Sequence, residues 1–326
     1  MLNIIKNYQT IGIVGLAKNT GKTTTLNYII ENYKSQKIGL TSIGLDGESF
    51  DQITYLPKPK IHIYEHMVVA TARSLLNDVK FTYRILEETN LQTALGPIVV
   101  IEVVTEGYIV LAGPTTNKEL NKVINLIKKY VSVVLIDGAF NRMTFASIES
   151  MGAIILATGA SLSSDMNQTI IKTKQVVSSF MLPKTNSMLD SKHKMAVKFE
   201  NQIEYFNDKD LNKLIDNKDM IKAIEFKGAL TMKMAEFLVL YKFKHMDIIV
   251  EDATKILLNP QVYEYLSYLN NKIFVLKQVP LIAITINPFS PTGNHYDKDL
   301  FLKEMNKEFT HPIYNIKEMR SEHVKT

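Results

Sequence analysis

Cysteine is absent from all 326 residues, so disulfides, thiolate metal sites and a cysteine nucleophile are excluded together. Any metal must therefore be held by oxygen or histidine. Histidine is itself sparse, and the seven present, His62, His66, His193, His245, His295, His311 and His323, include no pair at the helical spacing of a zinc site. Long apolar runs are missing too: none approaches the length of a bilayer span. The opening MLNIIKNYQT lacks a basic stretch followed by an apolar one and a small-residue cleavage site. No membrane association and a cytoplasmic location are the expectation. There is no block of one charge sign. The formal charge of +5 comes from scattered lysines such as Lys122, Lys128 and Lys129, without interleaved aromatics, which argues against nucleic acid as a partner. Neither a serine or histidine nucleophile elbow nor a short-period repeat is visible.

What the chain does have is one segment that names a chemistry, IGIVGLAKNTGKTTT at residues 11 to 25. An apolar run from Ile11 to Val14 feeds a loop ending Gly21-Lys22-Thr23-Thr24, and a helix-forming stretch from Leu26 to Tyr33 follows. This is the layout of a phosphate-binding P-loop, in which backbone N–H groups and a helix N-terminus converge on a triphosphate. Five residues separate Gly15 from Gly21 where the usual pattern has four, so Leu16 stands where the first glycine is expected. Lys22 is the first catalytic candidate, because its ammonium can neutralise charge that develops in phosphoryl transfer. Thr23 would be a Mg²⁺ ligand and Thr24 would touch the α-phosphate, while Lys18, Asn19, Thr20 and Gly21 complete the loop that holds ATP. The bland alternative is a strand-to-helix turn whose threonines cap the helix.

Two acidic positions complete the expected site. After a second strand comes Thr41-Ser42-Ile43-Gly44-Leu45-Asp46-Gly47-Glu48-Ser49-Phe50-Asp51, at what should be the C-terminal strand edge facing a ligand crevice. Asp46 could hold Mg²⁺ or orient a nucleophile, with Glu48 or Asp51 assisting; an acidic turn and helix cap is the alternative. Val133-Val134-Leu135-Ile136-Asp137 has the form of a Walker B strand, whose aspartate completes a Mg²⁺ shell beside the P-loop threonine. Arg142, just beyond it, could contact phosphate or a docking partner, or form a surface ion pair. Ala157-Thr158-Gly159-Ala160-Ser161 and Thr285-Ile286-Asn287-Pro288 end strands at the same edge and could frame a base; neither carries an Asn-Lys-x-Asp signature, which favours ATP over GTP.

Alternation of apolar strand, turn and amphipathic helix predicts an α/β fold of the P-loop NTPase type, a predominantly parallel sheet with helices on both faces. Strands are expected at Thr10–Val14, Lys37–Ile43, Ile61–Tyr64, Ile98–Val104, Tyr108–Leu111, Val131–Ile136, Ala153–Ala157, Ala223–Phe226, Asp247–Val250 and Leu281–Ile286. Helices are expected at Thr24–Ser35, Met67–Asn77, Lys118–Tyr130, Met166–Phe180, Thr231–Lys244 and Gln261–Asn270. Thr105-Glu106-Gly107 reads as a hairpin turn between the strands at 98 to 111. The polar, lysine-rich stretch from Pro183 to Asn201 is the candidate linker, dividing the chain into a nucleotide-binding part at 1–182, a linker or insertion at 183–204, and a smaller α/β part at 205–326, either separate or continuous with the first sheet. Ile136-Asp137-Gly138-Ala139 and Glu225-Phe226-Lys227-Gly228-Ala229 share a strand followed by Gly-Ala.

Together the P-loop, the Asp46 region and the Walker B strand resemble the dimer-forming P-loop class of molybdopterin-guanine-dinucleotide accessory proteins, dethiobiotin synthetases and partition ATPases. In partition-type members a lysine ahead of the Gly-Lys-Thr reaches the partner's nucleotide; Lys18 is similar but one place too close to Gly21, and a solvated loop lysine is its other reading. The strings GLAKNTGKTTTLNY, TSIGLDGESFD, IDGAFNR, ILATGAS and TINPFSPTG resemble a family from bacterial amino-acid fermentation, the reactivase subunits of adenosylcobalamin-dependent lysine 5,6-aminomutase. That resemblance implies a chaperone-like ATPase, working with a second ATPase subunit, that expels damaged cobalamin from the aminomutase; the class implies homodimerisation as an option. Two other functions fit the same residues: an ATP-dependent kinase or ligase of cofactor metabolism, and a non-catalytic nucleotide-sensing adaptor.

Overall fold

The computed structural model describes residues 1–34, 36–44, 60–93, 95–139 and 151–323. They form two compact units, Met1–Lys174 together with Val279–Thr326, and Gln175–Gln278. The first is built on a nine-stranded sheet in the order Ile313–Asn315, Leu281–Asn287, Ala153–Gly159, Thr10–Gly15, Val133–Ala139, Ile38–Ser42, Val68–Ala72, Gly96–Val103 and Tyr83–Thr93. Neighbours pair in parallel as far as Val68–Ala72, and the remaining two pairings are antiparallel. The protein is thus mixed α/β with a large, mostly parallel sheet.

Every residue of Thr10–Gly15, Ile38–Ser42 and Ala153–Gly159 is buried, as expected where helices cover a parallel sheet on both sides. On one face Leu26, Ile29 and Ile30 of the helix Lys22–Asn32 belong to the same core as Ile11, Leu40 and Leu135, which lie side by side in register. On the other, the helix Asn117–Ile127 comes so close that a Cβ on Gly39 would lie 2.3 Å from Ile127 Cγ2. That helix starts at Thr116, whose hydroxyl accepts from the Glu119 N–H, the N-terminal half of a capping box.

From Thr10–Gly15 the chain crosses to Ile38–Ser42 on one side, and from the adjacent Ala153–Gly159 it goes on to Leu281–Asn287 on the other. Connections that leave neighbouring strands in opposite directions open a crevice at their C-terminal ends. The glycine-lysine loop begins there.

Several expectations change. Met67–Asn77 is not a helix: Val68–Ala72 is a strand buried at every residue, paired on both sides, and only Arg73–Leu76 turns helically. Burial between two strands outweighs a helical spacing that carries no cap. The strands around Thr105-Glu106-Gly107 do not form a hairpin; Gly107–Ile109 pairs antiparallel with Ile61–Ile63, while Gly96–Val103 turns back on Tyr83–Thr93, with Gly96 at φ 101° beside the turn. Tyr83–Thr93 was not foreseen, because an edge strand with half-exposed residues lacks a clean apolar alternation.

The second unit has a five-stranded sheet, Ile203–Phe206, Met195–Lys198, Ala223–Phe226, Asp247–Val250 and Lys272–Val275, of which the last three are parallel. Phe226, Phe243, Leu238 and Ile248 fill its core. The division therefore differs from the expected one. Met195–Lys198 lies inside the stretch 183–204 read as a linker, yet Met195, Ala196 and Val197 are completely buried. Three apolar residues among lysines leave no periodic signal, and pairing on both sides buries them. Buried Glu225 ties down the stretch before them, accepting from Ser187 Oγ at 2.6 Å and Leu189 N at 3.1 Å. Leu281–Asn287 continues the first sheet, one of the two arrangements expected for the C-terminal part, while Ala223–Phe226 and Asp247–Val250 form the separate sheet of the second unit. No helix among the described residues is long and apolar enough to cross a membrane.

Candidate functional site

The strand Thr10–Gly15 ends in a loop that folds back on itself. A Cβ on Gly15 would lie 2.8 Å from Thr20 Oγ1, so glycine is required by close approach. Thr20, buried, donates from Oγ1 to Ala17 O at 2.9 Å and closes the loop. Leu16 N donates to Ala157 O at 3.0 Å, which joins the loop to the neighbouring strand end. Asn19 takes a left-handed conformation, φ 61°, as asparagine tolerates better than most residues. Its carbonyl accepts from Asn287 Nδ2 at 2.9 Å and Ser161 Oγ at 3.3 Å. The two segments expected to frame a base thus brace the loop from the side.

Gly21, at φ 94°, is the N-cap of Lys22–Asn32, and no side chain caps the helix start. Thr25 Oγ1 donates to Gly21 O at 3.1 Å and lies 2.9 Å from Thr285 Oγ1, a hydroxyl pair that pins the first turn to the sheet. Thr25→Val keeps the shape but leaves the buried Thr285 hydroxyl without this partner. A loss of about 1–3 kcal/mol is expected, read from the denaturant midpoint; an unchanged midpoint would remove the contact's anchoring role.

Lys22 Nζ lies 3.2 Å from Asp137 Oδ1, with the two side chains 25% and 19% exposed. The register explains the meeting. Asp137 is level with Ile13 on one side and Ser42 on the other, on the sheet face where Leu40, Leu135 and the helix Lys22–Asn32 pack. The strand continues beyond Asp137 to Ala139. The pair is a charge contact without an aligned hydrogen bond, so the buried Oδ1 keeps its capacity to accept. Ser42 Oγ, on the adjacent strand, is also buried and has no hydrogen-bond partner among the described residues. Gly113 closes this side: a Cβ there would lie 1.7 Å from Ser42 O. Gly44 N donates to Pro114 O at 2.9 Å and Ile43 N to Asp137 O at 3.0 Å.

Lys22, Asp137 and the half-buried Thr23 and Thr24 thus gather at one strand edge, while Lys18 and Asn19 are exposed on the loop. Asp46, Glu48, Asp51 and Arg142 lie outside the described residues. Among those described there is no cluster of three or more histidine and carboxylate groups able to hold a metal. The available donors are oxygens, from Thr23, Asp137 and Ser42, which suit a hard divalent cation that keeps several waters. An uncapped helix start with a lysine at its mouth suits a phosphate group. The sequence alone singles out neither Ser42 nor Thr25. The only signal for either is a polar residue where an apolar strand ends or a helix begins. Compared with protein-family models, curated proteins and solved structures, the chain matches none.

Proposed function

We propose that this chain is an ATP-binding accessory protein of the P-loop NTPase type, a reactivase or chaperone-like ATPase for an adenosylcobalamin-dependent aminomutase of amino-acid fermentation. The observation that best supports nucleotide binding is the 3.2 Å approach of Lys22 to Asp137 across the mouth of the glycine loop. A lysine and an acidic group held together there are the parts that phosphoryl transfer needs for positioning and charge balance. The loop and helix N–H groups would receive phosphate oxygens. Lys22 would leave Asp137 for the β- and γ-phosphates, and Asp137 and Thr23, joined by Asp46, would hold Mg²⁺. The ion supplies neutralisation of charge on the phosphates when bound. Lys18 and Asn19 would line the loop's outer rim, while the buried Thr20 would hold its shape from within.

The partner half of the reading rests on the resemblance of five strings spread along the chain. Its physical basis is that a partner binding the ATP and ADP states differently can be opened by that difference. An ATPase assay with and without an aminomutase inactivated by its own substrate tests it. Stimulated hydrolysis together with recovered mutase activity is expected. Hydrolysis that responds only to a small-molecule acceptor would instead favour a kinase or ligase.

A further inference from the structure

At the end of the first sheet opposite the glycine loop lies a cavity of about 560 Å³. Its place follows from how three elements meet. Gln9 directly precedes the strand Thr10–Gly15, Val133 opens the strand Val133–Ala139, and Tyr33 is the C-cap of the helix Lys22–Asn32; all three line the cavity. It therefore sits at the N-terminal ends of two central strands, whereas the Lys22–Asp137 pair stands at their C-terminal ends. Backbone hydrogen bonds fix the walls: Val134 N donates to Gln9 O at 2.9 Å, Gln36 N to Tyr33 O at 2.8 Å, and Lys128 N to Ile124 O at 2.9 Å. A cavity so held is formed before a ligand arrives, and its volume lies within the range of about 300–1,000 Å³ usual for small-molecule pockets.

The chemistry of the lining is one-sided. Tyr33, Val131 and Val133 are buried, and half-buried Tyr8 packs against the core to which Tyr33 and Val133 belong, so the floor is apolar. Exposed Lys6 and half-buried Lys128 complete the lining from more open positions. Among the described residues no carboxylate or histidine lines the cavity, and neither lysine has an ion pair; Glu87 goes to the next residue, Lys129, at 2.8 Å. The helices Lys22–Asn32 and Asn117–Ile127 both end here, with Lys128 the C-cap of the second, and their carbonyl ends offset part of the lysine charge. What is left suits one anionic group rather than several.

We propose that this cavity binds a small organic acid, a planar apolar body seated on Tyr8, Tyr33, Val131 and Val133 and a single carboxylate met by Lys6 and Lys128. The tyrosines offer ring surface to a flat body, and the ammonium groups offer charge-assisted hydrogen bonds to the acid. With no carboxylate or histidine to serve as base or metal ligand, the cavity is a binding site rather than a catalytic one, separate from the glycine loop.

Equilibrium dialysis of the full chain against 2-naphthoate, and against the neutral 2-naphthamide, tests the site. One saturable site is expected for the acid, with the amide weaker by about tenfold or more. Lys6→Gln combined with Lys128→Gln should weaken the acid by a similar factor and leave the amide unchanged, which a general loss of structure would not do. Ser132→Trp, at an exposed position of the lining, should fill the space and weaken both. The proposal is overturned by no saturable binding of the acid, by equal affinity for acid and amide, or by an affinity for the acid that either the double variant or Ser132→Trp leaves unchanged.

Discussion

Lys22→Ala should lower the affinity for ATP by roughly 10- to 100-fold, the worth of one charge-assisted contact, and lower turnover by about 10²–10³-fold. The fold should survive. The Lys22–Asp137 pair is 25% and 19% exposed, and loss of the lysine leaves the buried Asp137 Oδ1 without its charge contact, a cost of about 1–3 kcal/mol. The loop itself is held by contacts that do not involve this side chain, chiefly Thr20 to Ala17, Asn287 to Asn19 and Thr25 to Thr285. Lys22→Arg should not restore turnover, since a planar guanidinium cannot take the place of a compact ammonium at the helix start. Equilibrium binding and steady-state hydrolysis read the effect. Unchanged affinity and turnover would contradict a phosphate role for Lys22.

Asp137→Asn separates binding from chemistry. The amide keeps the shape and the register beside Ile13 and Ser42, so nucleotide should still bind within a few fold. Turnover should fall by about 10²-fold or more, because the charge that balances Lys22 and holds Mg²⁺ is gone. If the carboxylate acts on the metal, the variant should need more Mg²⁺ for half-maximal turnover, a shift that a merely structural aspartate would not produce. Normal turnover at ordinary Mg²⁺ would remove Asp137 from the site.

The parts of the site legible in the sequence are those whose position follows from local pattern. Gly21-Lys22 follows an apolar strand and opens a helix, and Asp137 sits two residues after Leu135, so strand alternation puts it on the face where that helix begins. Ser42 was not legible, because only the parallel register with Asp137 gives a serine at a strand end any meaning. The same limit applied to the fold. Met195–Lys198 and Tyr83–Thr93 are stabilised by pairing with distant strands, and the helical spacing in Met67–Asn77 yielded to burial between two neighbours. The return of Leu281–Asn287 to the first sheet, after a whole unit has intervened, is a long-range choice that no local window contains.

Calorimetric titration of the intact chain with ATP, in the presence of Mg²⁺ and again after its chelation, tests the central claim most directly. One saturable site per chain is predicted, weakened by chelation and strongly weakened by Lys22→Ala. Absence of saturable binding, or an isotherm that Lys22→Ala leaves unchanged, would contradict it.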